Sequence, residues 1–525
     1  MRQLDLKSTQ FPAIANAGRT SCCVVVLALC VAGCQKVPET PSKADAPVRA
    51  LHRGLGAEPD TLNPLLAVDN AALAVVGDLY EGLATEAPDG TIVPGAAREW
   101  QVSPDGLSWT FVLRPNLRWS NGDSLVAGHF AASLRASLAP GAQAPNAGLL
   151  DNVRSVEVLA PDRLRIDLKR PVPYLPALLA LPMASPTHPA AGNERTPPGN
   201  GPFRLVRWQR GDRIEVERNP YYRSANSVRL DRVTYRLLAD LGTEVNLYRT
   251  GELDLTSEVP NAQLPWLREH LPAELKIAPY LSTYAYAVNL RRLPDRGART
   301  ALAMAIDRER ITALVTGAGE EPAYGWLPPG VPGYPRQNYS WRDWPAERRV
   351  AQARALWRQS AARKAAPTVL TLCTDASANH HRTAIALADQ WQEVLGTHVN
   401  IVEMEWNVYL ATRAAPGDCD LVRLGWSADF ADAEAFAAIF ESGHPQNTLD
   451  YRSARYDALL ERSRMTSDAA ARARLLSEAE RIVLEDVPVI PIFHRVAKRL
   501  VKPQVTGYAA NPLGHLPSRD LSLDR

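Results

Sequence analysis

Cysteine is scarce in this chain, with six among 525 residues. Cys22, Cys23, Cys30 and Cys34 lie near the N-terminus, which leaves Cys373 and Cys419 for the rest. No Cys-x-x-Cys and no zinc-ligand spacing follows Cys34, so a zinc ribbon or a dithiol redox motif is excluded. Charge of one sign is also missing: 59 basic against 57 acidic residues give a formal net charge of +2. Without a basic stripe there is no footing for nucleic acid. There is no Gly-x-Ser-x-Gly, no His-Glu-x-x-His and no phosphate loop, so the usual nucleophile, zinc and nucleotide chemistries have no carrier. No short repeat or low-complexity tract interrupts the chain after the N-terminal segment. What is present is 46% hydrophobic and 22% charged, a globular composition, at a length that implies two or three domains.

The N-terminus reads as a targeting segment. Arg2, Lys7 and Arg19 precede the apolar run Val24–Val31, which is too short to cross a bilayer. Val31-Ala32-Gly33-Cys34 resembles a bacterial lipobox. That resemblance implies a signal peptide over 1–33, lipidation of Cys34 and a polar tether over 34–49. Acyl chains anchor through buried methylenes, so the membrane is touched through the anchor only. Cys373 and Cys419 sit in separate strand-like runs. A bridge needs close Cα atoms, and the expectation is two buried free thiols.

Leu51 begins a strand, and Ala71–Leu83 reads as a helix. In Leu107–Leu113, Trp109, Phe111 and Leu113 alternate with their neighbours as in a half-buried strand. Val153–Leu168 and Leu205–Glu217 read as hairpins turning at Pro161-Asp162 and Arg210-Gly211-Asp212. Thr243–Thr250 is a helix ended by Gly251, and Arg296–Val315 a long helix. A strand–helix–strand unit follows in Val369–Thr374, Asn379–Leu395 and Val399–Met404. A short helix follows Trp406, and another covers Ala433–Phe440. The helix Ser467–Leu484 precedes the strands Pro488–Phe493 and Leu500–Tyr508. Strands alternating with helices predict an α/β fold, with a hairpin-rich α+β piece over 81–184.

The densest chemistry lies in Asp420–Asp429. The apolar run Leu421–Leu424 carries one charge, Arg423, and ends at Gly425, which predicts a buried strand entering a loop. Trp426 and Asp429 follow. A cation and an anion at one strand end each need a partner if buried. They either pair within the protein or face a ligand bearing both charges.

Several blocks occur in a common order: Asp78-Leu-Tyr-Glu-Gly-Leu83, Trp119-Ser-Asn-Gly-Asp123, Asn200-Gly-Pro-Phe203, Tyr248-Arg-Thr-Gly-Glu-Leu-Asp254, Arg299–Arg308, Gly425-Trp-Ser-Ala-Asp429 and Arg499-Leu-Val-Lys-Pro503. Together they resemble the periplasmic oligopeptide-binding proteins, family 5 solute-binding lipoproteins of ABC importers, from about Leu51 to Tyr508. The resemblance implies an α/β, two-lobed, Venus-flytrap periplasmic-binding-protein fold of type II with an extra domain. Lobe I would comprise 50–80, 185–281 and 498–525, the extra α+β domain 81–184, and lobe III 282–497. It implies a periplasmic, lipid-anchored monomer without cofactor or catalysis, whose partners are short peptides and the transmembrane subunits of a permease. The murein tripeptide, a nickel chelate, haem or an opine is the alternative ligand.

The resemblance also implies roles. Asp429 would take the peptide's ammonium, Arg423 and His380 (in Ser377-Ala-Asn-His380) a carboxylate, and Trp406 and Trp426 would line side-chain pockets. From the residues alone, Asp429 could instead meet a nearby Arg or cap a helix, His380 could serve as a cap, and both tryptophans could be core. His380-His381 lacks the i,i+4 spacing of paired metal ligands on a helix. Three departures from the family stand out. Its cysteine pair beside the cleft is replaced by Ser282 and Ser427, Thr316 stands where a Lys can meet longer peptides, and the ligand-flanking segment Ala67–Ala72 is divergent.

Overall fold

The computed structural model describes residues 48–139, 144–190, 197–362, 369–444 and 446–524. The expected signal peptide, Cys34 and all of the tether but Val48 and Arg49 lie outside the described residues. Arg49 is fixed to the fold, its Nε meeting Asp231 at 3.2 Å.

After β1 (Ala50–Gly54) comes the helix Asn70–Leu79, capped by Asp69, whose carboxylate accepts from Ala72 N at 2.8 Å. The hairpin β2 (Ala84–Glu86) and β3 (Ile92–Pro94) leads to four antiparallel strands. These are β4 (Ala97–Val102), β5 (Ser108–Leu113), β6 (Val153–Ala160) and β7 (Arg163–Leu168), in the order β4-β5-β7-β6. Alternation turns Trp109, Phe111 and Leu113 inward, where they join Leu164, Ile166 and Phe130 in a core of their own. Phe130 belongs to the helix Ala127–Leu138, whose buried stripe includes Ser133 and Ser137 and so hides its apolar period.

β8 (Phe203–Gln209) and β9 (Arg213–Arg218) form the expected second hairpin, with Gly211 at φ 71° in its turn. β10 (Arg232–Arg236) then pairs with β9 and, in parallel, with β1. The order β1-β10-β9-β8 thus joins segments that the whole β2–β7 piece separates in sequence.

A six-stranded sheet dominates the remainder: β11 (Leu275–Val288), β12 (Glu321–Pro322), β13 (Val369–Asp375), β14 (His398–Met404), β15 (Leu421–Ser427) and β16 (Val489–Leu500). Its order is β12-β16-β11-β15-β13-β14, with β13 parallel to both β14 and β15. Tyr284, Tyr286 and Val288 enter the core on one face of β11, and Ala285 and Ala287 the core on the other. β11 and β16 run antiparallel from Leu275 opposite Leu500 to Ala287 opposite Val489, with a register shift between Pro279 and Thr283. β16 runs on beyond the strand Pro488–Phe493 that the sequence suggested, because Arg495, Lys498 and Arg499 break its apolar pattern. A last small pair, β17 (Val505–Thr506) and β18 (Ser522–Leu523), closes the chain.

Two expectations are corrected. The helix over Arg296–Val315 is broken into Arg296–Met304, Arg308–Ile311 and a wider turn over Thr312–Thr316. Asp307 recaps the chain by accepting from Arg310 N at 2.9 Å. Arg308, fully buried, donates to the carbonyls of Ala323 and Pro491 at 2.8 and 2.9 Å. These bonds satisfy a charge that a continuous amphipathic helix would leave alone. The second correction concerns Cys373 and Cys419, which form a disulfide with Cα atoms 5.9 Å apart rather than two free thiols. Their strand-like runs are neighbours: Cys373 on β13 stands opposite Val422 on β15, and Cys419 lies two residues before that strand begins. Asp420 clamps the approach, donating from N to Thr371 O at 2.9 Å and accepting from Thr371 N at 2.8 Å.

Candidate ligand-binding site

A cavity of about 650 Å³ opens where these pieces converge. Its wall takes Gly54–Ala57 from the end of β1, Ala67–Ala71 and the following helix, Ala177–Met183, Ser427–Phe430, Arg495–Arg499 of β16 and Leu513–Arg519. The divergent segment at Ala67–Ala72 therefore borders the cavity.

Asp429 is delivered to this wall by β15. Ser427 stands opposite Ser282 on β11, and Ala428 N extends the pairing by donating to Leu281 O at 2.9 Å. Aromatic residues fix the chain on both sides of Asp429. Trp426 donates from Nε1 to Ala435 O at 2.7 Å and packs on one core of the large sheet. Phe430 stacks on Tyr174 with ring centres 5.0 Å apart, inside the core of the β4–β7 piece. Burial pushes the Asp429 carboxyl up, and the charge of His515 only partly offsets this. Among the described residues it has no hydrogen-bond or ion-pair partner.

The other charged side chains on the wall are engaged, with one exception. Glu81 holds Arg223 at 2.7 Å, Glu86 holds His515 at 2.8 Å, and Glu258 lies 3.6 Å from Lys498. Arg53, Arg499 and Arg519 donate to backbone carbonyls, and Asp69 caps its helix. The exception is Arg495, half-buried, with its guanidinium 5.9 Å from the centre of the Tyr280 ring and no acidic partner among the described residues. His515 is an imidazole whose burial disfavours charge, but the bond and charge of Glu86 outweigh it and raise its pKa. Burial likewise pushes Glu86 up, and His515, Asn511 and Arg519 together hold it below the usual range.

Arg423 and His380 meet each other's neighbourhood through Asp375 at the end of β13. Arg423 Nε lies 2.7 Å from Asp375 Oδ2 and its guanidinium 4.7 Å from the Tyr409 ring centre. His380 donates from Nδ1 to Asp375 at 2.9 Å. Burial drives the His380 pKa down, with Arg423 and Arg495 adding to the effect beyond what Asp375 restores, so the ring is neutral. Burial pushes Asp375 up, but His380 and Arg423 hold it low and ionised. The charges of this triad thus close on themselves, and neither Arg423 nor His380 is on the cavity wall. Trp406 is 51% exposed at the start of the helix Trp406–Ala414, beside Tyr409, and it too is off the wall. Thr316 bonds Glu320 at 2.7 Å. His381 lies 2.8 Å from Glu403. No cluster of His, Cys, Asp and Glu among the described residues could hold a metal.

Sequence reading missed Arg495, His515 and Glu86. The one available signal was Arg495 itself, the first of the cations that break the apolar pattern of β16.

Comparison with known proteins now decides the family: residues 91–448 match the profile "Bacterial extracellular solute-binding proteins, family 5 Middle". The chain belongs to the family 5 extracellular solute-binding proteins. The periplasmic oligopeptide-binding protein OppA of Escherichia coli (strain K12) is 32% identical over 503 residues, 90% of this chain and 92% of that one. The probable deoxycholate-binding periplasmic protein YgiS of the same organism is 34% identical over 504 residues, 91% of this chain and 94% of that one. Among solved structures, Haemophilus influenzae OppA in complex with RPPGFSPFR superposes with a TM-score of 0.81 at 30% identity, covering 91% of this chain and 99% of that chain. This solute-binding protein thus has the mixed α/β fold expected. No helix among its described residues is long and apolar enough to cross a membrane.

Proposed function

We propose that this solute-binding protein captures short peptides in the cavity and presents them to the transmembrane subunits of an ABC permease. One observation carries the reading: Asp429 offers the cavity a desolvated carboxylate without a hydrogen-bond or ion-pair partner among the described residues. A buried charge is costly alone, and a peptide's α-ammonium supplies the missing partner with a strong, charge-assisted hydrogen bond. The extended backbone of the ligand offers the same N–H and C=O groups whatever its side chains, so capture tolerates sequence. The deoxycholate-binding relative suggests a second ligand class, but an anionic bile acid brings no cation and leaves Asp429 uncompensated. Catalysis is no part of this reading.

In this reading residues 50–80, 185–281 and 498–525 form lobe I, 81–184 the extra domain and 282–497 lobe III. The paired strands β11 and β16 are the crossing connections, and closure of the lobes on the ligand is the hinge motion familiar in binding proteins. Cys34 anchors a periplasmic monomer to a membrane, with the signal peptide removed. Trp426 and Trp406 border the ligand's side chains as the lobes close.

Isothermal titration with a free and an N-acetylated tripeptide tests the reading, in the wild type and in Asp429→Asn, with deoxycholate as a parallel ligand. Removing one partner of a buried charge pair costs about 2–5 kcal/mol. Acetylation should therefore weaken wild-type binding about thirtyfold or more, and in the variant it should cost little further. Equal binding of both peptides, or tight binding of deoxycholate alone, would overturn it.

A further inference from the structure

We propose that Arg495 is the receptor for the ligand's carboxylate, so that the cavity selects a peptide of about three residues with both termini free. This rests on the capture of the ammonium by Asp429.

Among the described residues of the wall, Asp429 and Arg495 are the two charged side chains without a hydrogen-bond or ion-pair partner. They carry opposite signs, as the two ends of a zwitterionic peptide do. Arg423 and His380 are less suited to the carboxylate. Arg423 already faces the ionised Asp375 at 2.7 Å, and His380 spends its Nδ1 proton on the same carboxylate. A ligand carboxylate arriving there would meet a like charge, whereas at Arg495 it meets an uncompensated guanidinium with a fork of donors.

The sheet sets the span. β15 and β16 flank β11 on opposite sides. Ser427 pairs with Ser282, while Arg495 lies in the irregular stretch facing Tyr280–Ser282, between Val496 opposite Pro279 and His494 opposite Thr283. The two flanking strands are two interstrand spacings apart, about 10 Å. An extended chain advances about 3.3–3.6 Å per residue, so roughly three residues bridge that distance. Tyr280, over which the guanidinium lies, lines the same wall and limits where Arg495 can point.

The test titrates one tripeptide as free acid, as C-terminal amide and as N-acetyl acid, against the wild type, Arg495→Gln and Arg495→Lys. Hydrogen bonds to charged groups imply a roughly ten- to hundredfold effect. Amidation should weaken wild-type binding by that factor. Arg495→Gln should bind the acid as weakly as the wild type binds the amide, with no further loss on amidation and with the acetylation penalty intact. Arg495→Lys should recover part of the preference for the acid. If Arg495→Gln still prefers the acid over the amide, the carboxylate is held elsewhere and the proposal fails, while the acetylation penalty keeps ammonium capture standing. If the wild type binds the free tripeptide no better than its acetylated form, capture at Asp429 falls, and this proposal with it.

Discussion

Ser427 Oγ donates a hydrogen bond to Ser282 Oγ at 2.9 Å, between residues that stand directly opposite each other on β15 and β11. Ser427 lies on the cavity wall two residues before Asp429, and the bond ties the strand that leads to Asp429 to the longest strand of the sheet. Directly opposite residues of an antiparallel pair have Cα atoms about 4.5–5.5 Å apart, inside the range a disulfide needs. The double variant Ser282→Cys/Ser427→Cys should therefore cross-link on mild oxidation, seen as a loss of two hydrogens by intact mass. Free thiols persisting under conditions that keep Cys373 and Cys419 bridged would show that the strands separate in solution.

Affinity for peptides should depend on pH through Asp429. Its carboxyl is raised in the free protein by burial and becomes ionised against an ammonium in the complex. Below that raised pKa the free state holds a proton that binding must expel, so affinity falls as the pH drops through it. Titrations at descending pH should show the loss beginning above the usual carboxylate range. Asp429→Asn should flatten that part of the profile.

The Cys373–Cys419 bridge closes a loop with a sequence separation of 46. Loop-closure entropy puts its contribution at about 4 kcal/mol at most, and typical bridges give about 2–4 kcal/mol. Cys373→Ala/Cys419→Ala should lower the denaturation midpoint accordingly, measured in urea without reductant. The same variant should leave peptide affinity nearly unchanged, because neither residue is on the cavity wall.

Glu480 gives stability a pH dependence. Burial pushes its pKa up to about 7, although it accepts from Trp326 N at 2.7 Å and Leu327 N at 2.9 Å. Its folded-state pKa lies above the unfolded one near 4.5. The contribution is thus fully present below about 4.5 and is lost as pH rises towards 7. Glu480→Gln does not titrate. Thermal melts from pH 4.5 to 7.5 should show the wild type losing stability relative to the variant across that window. Parallel profiles would mean that Glu480 is already ionised in the fold.

The local elements were legible because their causes are local. Asp69, Asp295 and Asp468 each cap a helix by accepting from the third residue on, and Gly251 ends one in the left-handed conformation only glycine adopts cheaply. Trp109, Phe111 and Leu113 alternate because a pleated strand has a period of two. The order of blocks and the Gly-Trp-Ser-Ala-Asp motif pointed to the family, and the motif's Asp429 does reach the cavity. Partnership, however, is a property of three dimensions. The bridge between Cys373 and Cys419 exists because β13 and β15 lie side by side, which neither run of sequence states. Arg423 and His380 carry the right chemistry for a carboxylate, yet Asp375 at the end of β13 takes both. Arg495, which in sequence only spoils the apolar pattern of β16, is left without an acidic partner among the described residues. Composition fixes which charges a chain possesses. Which of them remain for a ligand is settled only when the folded sheet has paired the rest, because a charge removed from water must find its counterpart within a few ångströms.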